Sequence, residues 1–193
     1  LKPLHQEVND GYDAVEWAAR QPWSNGKVGL MGASSSGISA MQAAVSQAPH
    51  LVAMIVSETS SNFHNGALYV NGAFSLGLAQ SWVLETMAKD AYQRQLEAAE
   101  DTQENSLSTV DQWVETGRKN ILTHWVREFP LKQFSMFRGL VPYYDYWLDH
   151  PDYNAYWAAI DFEQHYNRIR VPVRLEGGWY DIYNSAMIHN FVG

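Results

Sequence analysis

Cysteine is absent from the 193 residues, so they can build neither a disulfide framework nor a thiolate metal site. Long apolar runs are missing too. Nothing approaches the roughly 20 residues of a membrane span, and the N-terminus lacks the charged-then-apolar pattern of a signal peptide. Basic residues are few and scattered. The 13 Lys and Arg against 21 Asp and Glu give a formal net charge of −8, which leaves no clustered basic face for nucleic acid. The seven histidines show no metal-box spacing, and neither a repeat nor a low-complexity tract is evident. No cofactor is expected. These absences fit a cytoplasmic protein, although any signal peptide would lie upstream of Leu1; oligomeric state is left open.

What remains is the composition of a globular chain, 46% hydrophobic and 18% charged, long enough for one domain or part of a larger one. The sequence opens LKPLHQEVNDGYD without an initiator Met and stops at IHNFVG within a helical pattern, so it reads as an internal piece of a longer protein.

Asn9 or Asp10 can cap a helix running to about Gln21, with Tyr12, Val15, Ala18 and Ala19 on one face and Pro22 closing it. Ser24-Asn25-Gly26 reads as a turn, and Lys27 to Met31 as a short buried strand. A helix from about Ser36 to Ala48, small on its Ala40, Ala43, Ala44 and Ala48 side, ends before Pro49. Leu51 to Ser57, LVAMIVS, is apolar on both faces, as a parallel strand covered on both sides would be. Strand, tight turn, helix and strand make the βαβ unit of a doubly wound α/β fold.

From about Asn65 to Tyr156 the pattern changes to aromatic-rich helical segments: Tyr69 to Met87, Ala91 to Ala99 and Val110 to Trp125, then a loop-rich stretch through Tyr143, Tyr144, Tyr146 and Trp147. The polar EAAEDTQENS between them reads as a solvated helix end and loop. Strand signals return at Val171 to Glu176, and Asn184 to Val192 reads as a helix. Three segments follow: an α/β core over 1–64, a helical insertion over 65–160 and a return to the core over 161–193.

GASSSG, Gly32 to Gly37, lies between the predicted strand and helix. A serine attacks only when a base takes its proton, and α/β-hydrolases expose it on a sharp strand-to-helix turn whose neighbours two positions away are small. Two registers satisfy that rule: Ser34 with Gly32 and Ser36 as flanks, or Ser35 with Ala33 and Gly37. Local sterics do not choose between them. A plain Ser-rich helix cap is the alternative.

Asp10 to Gly37, DGYDAVEWAARQPWSNGKVGLMGASSSG, resembles the nucleophile segment of the cocaine-esterase and X-prolyl dipeptidyl-peptidase group of α/β-hydrolases. So do Leu148 to Asp161, LDHPDYNAYWAAID, and Val171 to Tyr183, VPVRLEGGWYDIY, which look like that group's segments before and at its catalytic aspartate. The resemblance implies a partial α/β-hydrolase, its doubly wound, mostly parallel sheet carrying a helical cap. It implies Ser34 as nucleophile, the Ser35 N–H as oxyanion donor and Asp181 as the acid of the triad. Ser35 stands where the group usually has Tyr, which changes packing and polarity beside the acyl pocket. The local alternative for Asp181 is a helix cap after a Gly-Gly turn.

In this group the catalytic histidine follows the aspartate by some tens of residues. Here only His189 lies downstream, along a predicted helix; His5, His50, His64, His124, His150 and His165 match no catalytic position and read as surface or capping residues. The resemblance also implies a second oxyanion donor upstream and a jelly-roll domain downstream, and it makes the 65–160 aromatics candidates for an apolar cleft over Ser34. Trp113 and Trp125 are expected in the core.

The expected function is a serine hydrolase acting on small ester, amide or short-peptide substrates. The alternatives are an X-Pro dipeptidyl peptidase, for which no residue is assigned to hold the substrate's α-amine, and an inactive hydrolase-fold binding protein. The 193-residue chain by itself is expected to be inactive, and serine-dependent turnover by that purified chain would overturn the expectation.

Overall fold

The computed structural model describes residues 3–99 and 103–193. They fall into two compact units, one ending at Asn71 and resuming at Tyr153, the other spanning Gly72–Asp152.

The first unit opens with α1, Glu7–Ala19, which begins before Asn9. The Glu7 carboxylate accepts the N–H groups of Leu4 (3.1 Å) and Gln6 (2.9 Å), so a side chain inside the first turn fixes the chain's entry. Strand β1, Val28–Ala33, runs two residues past the predicted end, up to Ser34. Helix α2, Ser35–Val45, follows at once, and strand β2, Leu51–Ser57, lies parallel to β1 in register Leu30 to Met54 and Met31 to Ile55.

After β2 come a π-helical turn at His64–Leu68 and a two-residue strand, β3, Tyr69–Val70. The predicted helix from Tyr69 is therefore wrong at its start. Asn71 and Gly72 both take positive φ, 53° and 81°, a turn chemistry that favours Asn-Gly. Another two-residue strand, β4, Ala73–Phe74, stands beyond it.

The rest of the second unit is helices joined by turns, irregular over residues 128–141: α3 Leu76–Val83, a π-helical turn Leu84–Ala88, α4 Lys89–Ala98, α5 Gln103–Asn120, a 3-10 turn Trp125–Arg127 and α6 Pro142–Asp149. Within EAAEDTQENS, residues 100–102 lie outside the described residues, while Gln103 already belongs to α5, seven residues before the predicted Val110. The stretch expected to be loop around Tyr143 and Trp147 is helical, with Pro142 in the first turn where its missing N–H costs nothing. Trp113 and Trp125 are half-buried, not core. The core is instead Phe134, Tyr144 and Trp147, with Trp147 only 1% exposed and its ring 6.0 Å from Trp82.

The chain re-enters the first unit through α7, Ala155–Ala158, capped by Asn154 Oδ1 accepting the Tyr156 N–H at 2.9 Å. Strand β5, Val173–Glu176, pairs parallel to β2, and α8, Asn184–Val192, closes the chain with the predicted bounds. The sheet order is β1-β2-β5. Leu51, Met54 and Val56 of β2 are buried, whereas Met31 on the other face is 77% exposed and Ile55 is also exposed. Apolar residues on both faces of LVAMIVS thus meet cover on one face only within these residues.

Small residues set how closely α1 and α2 approach. A Cβ on Gly11 would clash with the Ala43 side chain and stand 2.9 Å from the Ala43 Cα. Helix propensity alone makes Gly11→Leu stabilising by up to about 1 kcal/mol, whereas overpacking costs about 1–3 kcal/mol. Gly11→Leu should therefore lower the denaturation midpoint while the exposed control Ala14→Leu does not; a raised midpoint for Gly11→Leu would contradict the close crossing.

Candidate active site

Between the last residue of β1 and the first of α2 stands Ser34, at φ 55° and ψ −126°. An L-residue at such angles is strained by about 1–3 kcal/mol and persists only when its surroundings hold it there. Here the hold is visible. The Ser34 N–H is shared between the carbonyls of Ser57 and Glu58, each at 3.1 Å, and the Ser34 carbonyl accepts from Thr59 Oγ1 at 2.8 Å and from the Ile38 N–H at 3.1 Å.

This geometry separates the two registers that local sequence left tied. Of the three serines only Ser34 has positive φ, and Ser35 is already helical. A Cβ on Gly32 would stand 2.5 Å from the Ser36 carbonyl carbon, so the backbone two residues after Ser34 crosses the backbone two residues before it. Gly37 is crowded from elsewhere: its Cβ would meet Thr59 Cβ at 2.9 Å. The Ser35 N–H opens α2, where the first amide groups have no partner within the helix and the dipole favours negative charge.

Asp181 follows β5 on a turn closed by its N–H to the Gly178 carbonyl at 3.1 Å. One carboxylate oxygen accepts the Tyr183 N–H at 2.7 Å, so the cap-like role that the sequence allowed is filled. Its other oxygen has no hydrogen bond among the described residues. Tyr183 links the two candidates. Burial raises its phenol pKa, a hydrogen bond with the Ser34 side chain opposes the rise, and the Asp181 charge adds to it. Ser34, Tyr183 and Asp181 are therefore neighbours at the C-terminal end of the parallel strands, where open α/β sheets bind ligands.

Two features around the candidate site escaped the sequence reading. One is Tyr183, hidden among the aromatics of GGWYDIY. The other is Thr59-Ser60-Ser61-Asn62, four consecutive polar residues directly after an apolar strand, all buried. Burial of that kind needs partners. Ser60 Oγ donates to the Asn62 carbonyl at 2.8 Å, and Ser61 Oγ meets the Tyr166 phenol at 2.5 Å. Tyr166 donates to Asn190 Oδ1 at 2.8 Å, and burial pushes its pKa up to about 12.

No histidine is hydrogen-bonded to Ser34 or Asp181 among the described residues. His189 is exposed on α8, and His50 pairs with Glu16 at 2.9 Å. His64 is not the surface residue expected: it is buried, stacked on Tyr69 with ring centroids 4.6 Å apart, and its Nδ1 is 2.7 Å from Asn65 Oδ1. No group of three or more His, Asp or Glu able to hold a metal forms among the described residues.

Comparison with known proteins bears on the family and the fold. Over residues 2–193 the sequence matches the family described as X-Pro dipeptidyl-peptidase (S15 family). Cocaine esterase of Rhodococcus sp. (strain MB1 Bresler) is 27% identical over 98% of this chain, which spans 32% of that protein's length. Among solved structures, a CocE/NonD family hydrolase from Staphylococcus aureus superposes with a TM-score of 0.54 at 20% identity, covering 89% of this chain and 23% of the other. An aminopeptidase from the marine sediment archaeon Thaumarchaeota archaeon gives 0.58 at 18% identity, covering 94% and 28%. Those two show a shared fold. With a parallel α/β sheet and a family match running from Lys2 to the last residue, the chain belongs to the X-Pro dipeptidyl-peptidase (S15) family, a group of serine hydrolases with esterase and peptidase members.

Proposed function

We propose that the protein cleaves ester or amide bonds through an acyl-enzyme, with Ser34 as the nucleophile. The observation that carries this reading is the strained Ser34 backbone, pinned from three sides between β1 and α2. Sparsely populated backbone angles that the surroundings hold in place cluster at active sites, which supports a catalytic reading of this serine.

In the proposed reaction the Ser34 hydroxyl oxygen attacks the substrate carbonyl as a base takes its proton, and the carbonyl π electrons move onto oxygen. The Ser35 N–H donates to that oxyanion, where a fixed donor at a helix N-terminus strengthens its hold as charge develops. Collapse expels the alcohol or amine with the returned proton, and water repeats the sequence to free the acid and Ser34. Asp181 orients the base and stabilises its cation through the carboxylate oxygen that the local turn leaves free. We assign the base to a histidine outside these residues, since the chain spans about a third of the cocaine esterase it resembles. The Gly72–Asp152 unit is read as the helical cap, and the other as the catalytic core.

The family's description favours a second reading, removal of X-Pro dipeptides. The two differ in what the substrate carries: kcat/KM on X-Pro anilides exceeding that on simple aryl esters supports the peptidase, and the reverse supports the esterase.

In the full-length protein, Ser34→Ala should abolish fluorophosphonate labelling and turnover, while Ser35→Ala, which keeps the backbone N–H, should retain most of both. Labelling that survives Ser34→Ala and is lost in Ser35→Ala would move the nucleophile by one residue.

A further inference from the structure

Two peptide planes meet at Ser34, and different parts of the chain hold them. The plane before it carries the Ser34 N–H, which the Ser57 and Glu58 carbonyls share. The plane after it carries the Ser34 carbonyl and the Ser35 N–H. A trans peptide is rigid and points these two groups in opposite directions, so whatever fixes the carbonyl also aims the amide.

The Ser34 carbonyl accepts two bonds. One, from the Ile38 N–H at 3.1 Å, is the ordinary backbone bond of a helix start. The other comes from Thr59 Oγ1 at 2.8 Å, across from the residues that follow β2. At ψ −126° the second plane stands far from the helical and extended values that a residue adopts unaided, and the Thr59 hydroxyl is the added restraint that meets it there.

Thr59 is itself closely held. It is 0% exposed, and branching at Cβ leaves its side chain few rotamers. That side chain leans on the first turn of α2: a Cβ on Gly37 would stand 2.9 Å from Thr59 Cβ, 3.1 Å from Oγ1 and 3.2 Å from Cγ2. A larger residue at position 37 would push the threonine away. Its backbone is tied to α8, with the N–H to Met187 Sδ at 3.3 Å and the carbonyl accepting a long bond from Asn190 Nδ2 at 3.5 Å. The hydroxyl has one proton to give, and the Ser34 carbonyl takes it. A donor on that carbonyl also polarises the peptide, which makes the N–H at its other end a stronger donor.

We propose that Thr59 is a positioning residue for the oxyanion donor: its hydroxyl fixes the Ser34–Ser35 peptide and so aims the Ser35 N–H. The role rests on the reading of Ser34 as nucleophile and of the Ser35 N–H as the group that meets the developing charge. Thr59 acts only through that peptide. Removing a whole oxyanion donor costs about 10²–10³ in rate, so misaiming one costs less, on the order of tenfold.

Two variants of the full-length protein test this: Thr59→Val loses the hydroxyl at similar volume, and Thr59→Ser keeps it. The substrates are p-nitrophenyl acetate and p-nitrophenyl thionoacetate, which differ only in the atom, oxygen or sulfur, that becomes the anion. Sulfur is the weaker acceptor, so the thionoester depends less on where the amide points. Thr59→Val should lower kcat/KM about tenfold on the acetate and much less on the thionoacetate, while Thr59→Ser keeps the preference for oxygen. A merely structural role would slow both esters alike. Equal loss on both, no loss on either, or a preference lost in Thr59→Ser as well, overturns the proposal. If Thr59→Val fails to fold, Thr59→Ala removes the same hydroxyl without putting a methyl in its place, and an unchanged preference there overturns the proposal too. The peptide is also read without turnover. In a crystal structure of full-length Thr59→Val, ψ of Ser34 should leave −126° by more than the scatter of about 15–20° seen in ordinary elements, and an unchanged angle overturns the role of Thr59. Ester turnover that survives Ser34→Ala would refute the hydrolase reading, while that angle still decides whether Thr59 sets the peptide.

Discussion

Two carbonyl oxygens at the end of β2 share the N–H of Ser34, and the candidate chemistry depends on that shared bond. It holds the serine at a positive φ that the chain would otherwise leave. With φ held, the hydroxyl-bearing carbon stands at the turn's apex, the next amide starts a helix, and Gly32 is forced to be glycine because the following backbone passes across it. Released, the residue would relax, and the hydroxyl, the helix start and the amide donor would all move together. A strained residue and its restraints form one unit, and here the restraints come from the neighbouring strand and the polar residues after it.

Those polar residues explain why the end of this sheet differs from its middle. In β2 the buried side chains are apolar, whereas the four residues from Thr59 are polar and just as buried. Each must find a partner: Ser60 finds the Asn62 carbonyl close by, whereas Ser61 meets Tyr166, Asn62 meets Glu163, and Thr59 meets Ser34 and Asn190 from distant parts of the chain. Hydrogen bonding thus does at this end what apolar packing does in the strand. It also fixes side chains in orientation, which a site needs more than bulk burial does.

The fold was legible where pattern length and punctuation agreed. LVAMIVS is apolar, short and bounded by Pro49 before and polar residues after, and its strand has the predicted bounds. Asn184–Val192 likewise forms the helix expected. The reading failed where one local signal was outweighed by a longer one. Asn71-Gly72 is a strong turn signal inside a segment whose aromatics and leucines looked helical. Pro142 announces a helix, but the crowd of tyrosines after it looked irregular. At the site, the spacing of small residues could not separate Ser34 from Ser35, because both registers satisfy the same size rule and only the backbone angles differ. Asp181 was reachable from its strand-end position; Tyr183 and the Thr59 run were not, since their meaning lies in which distant residues they meet. His64 was misplaced for the same reason: nothing in its neighbours announces that Tyr69 and Trp157 enclose it.

Thr59 joins two helices that are far apart in sequence. Its hydroxyl is bound to the Ser34 carbonyl at the head of α2, while its N–H points to the Met187 sulfur in α8 at 3.3 Å. The Asn190 side chain, also from α8, reaches the Thr59 carbonyl at 3.5 Å. These four positions therefore cannot drift independently over generations. A change of size or polarity at Met187 or Asn190 is passed to Thr59 and from there to the serine turn, so tolerated replacements among relatives are expected to arrive in matched sets.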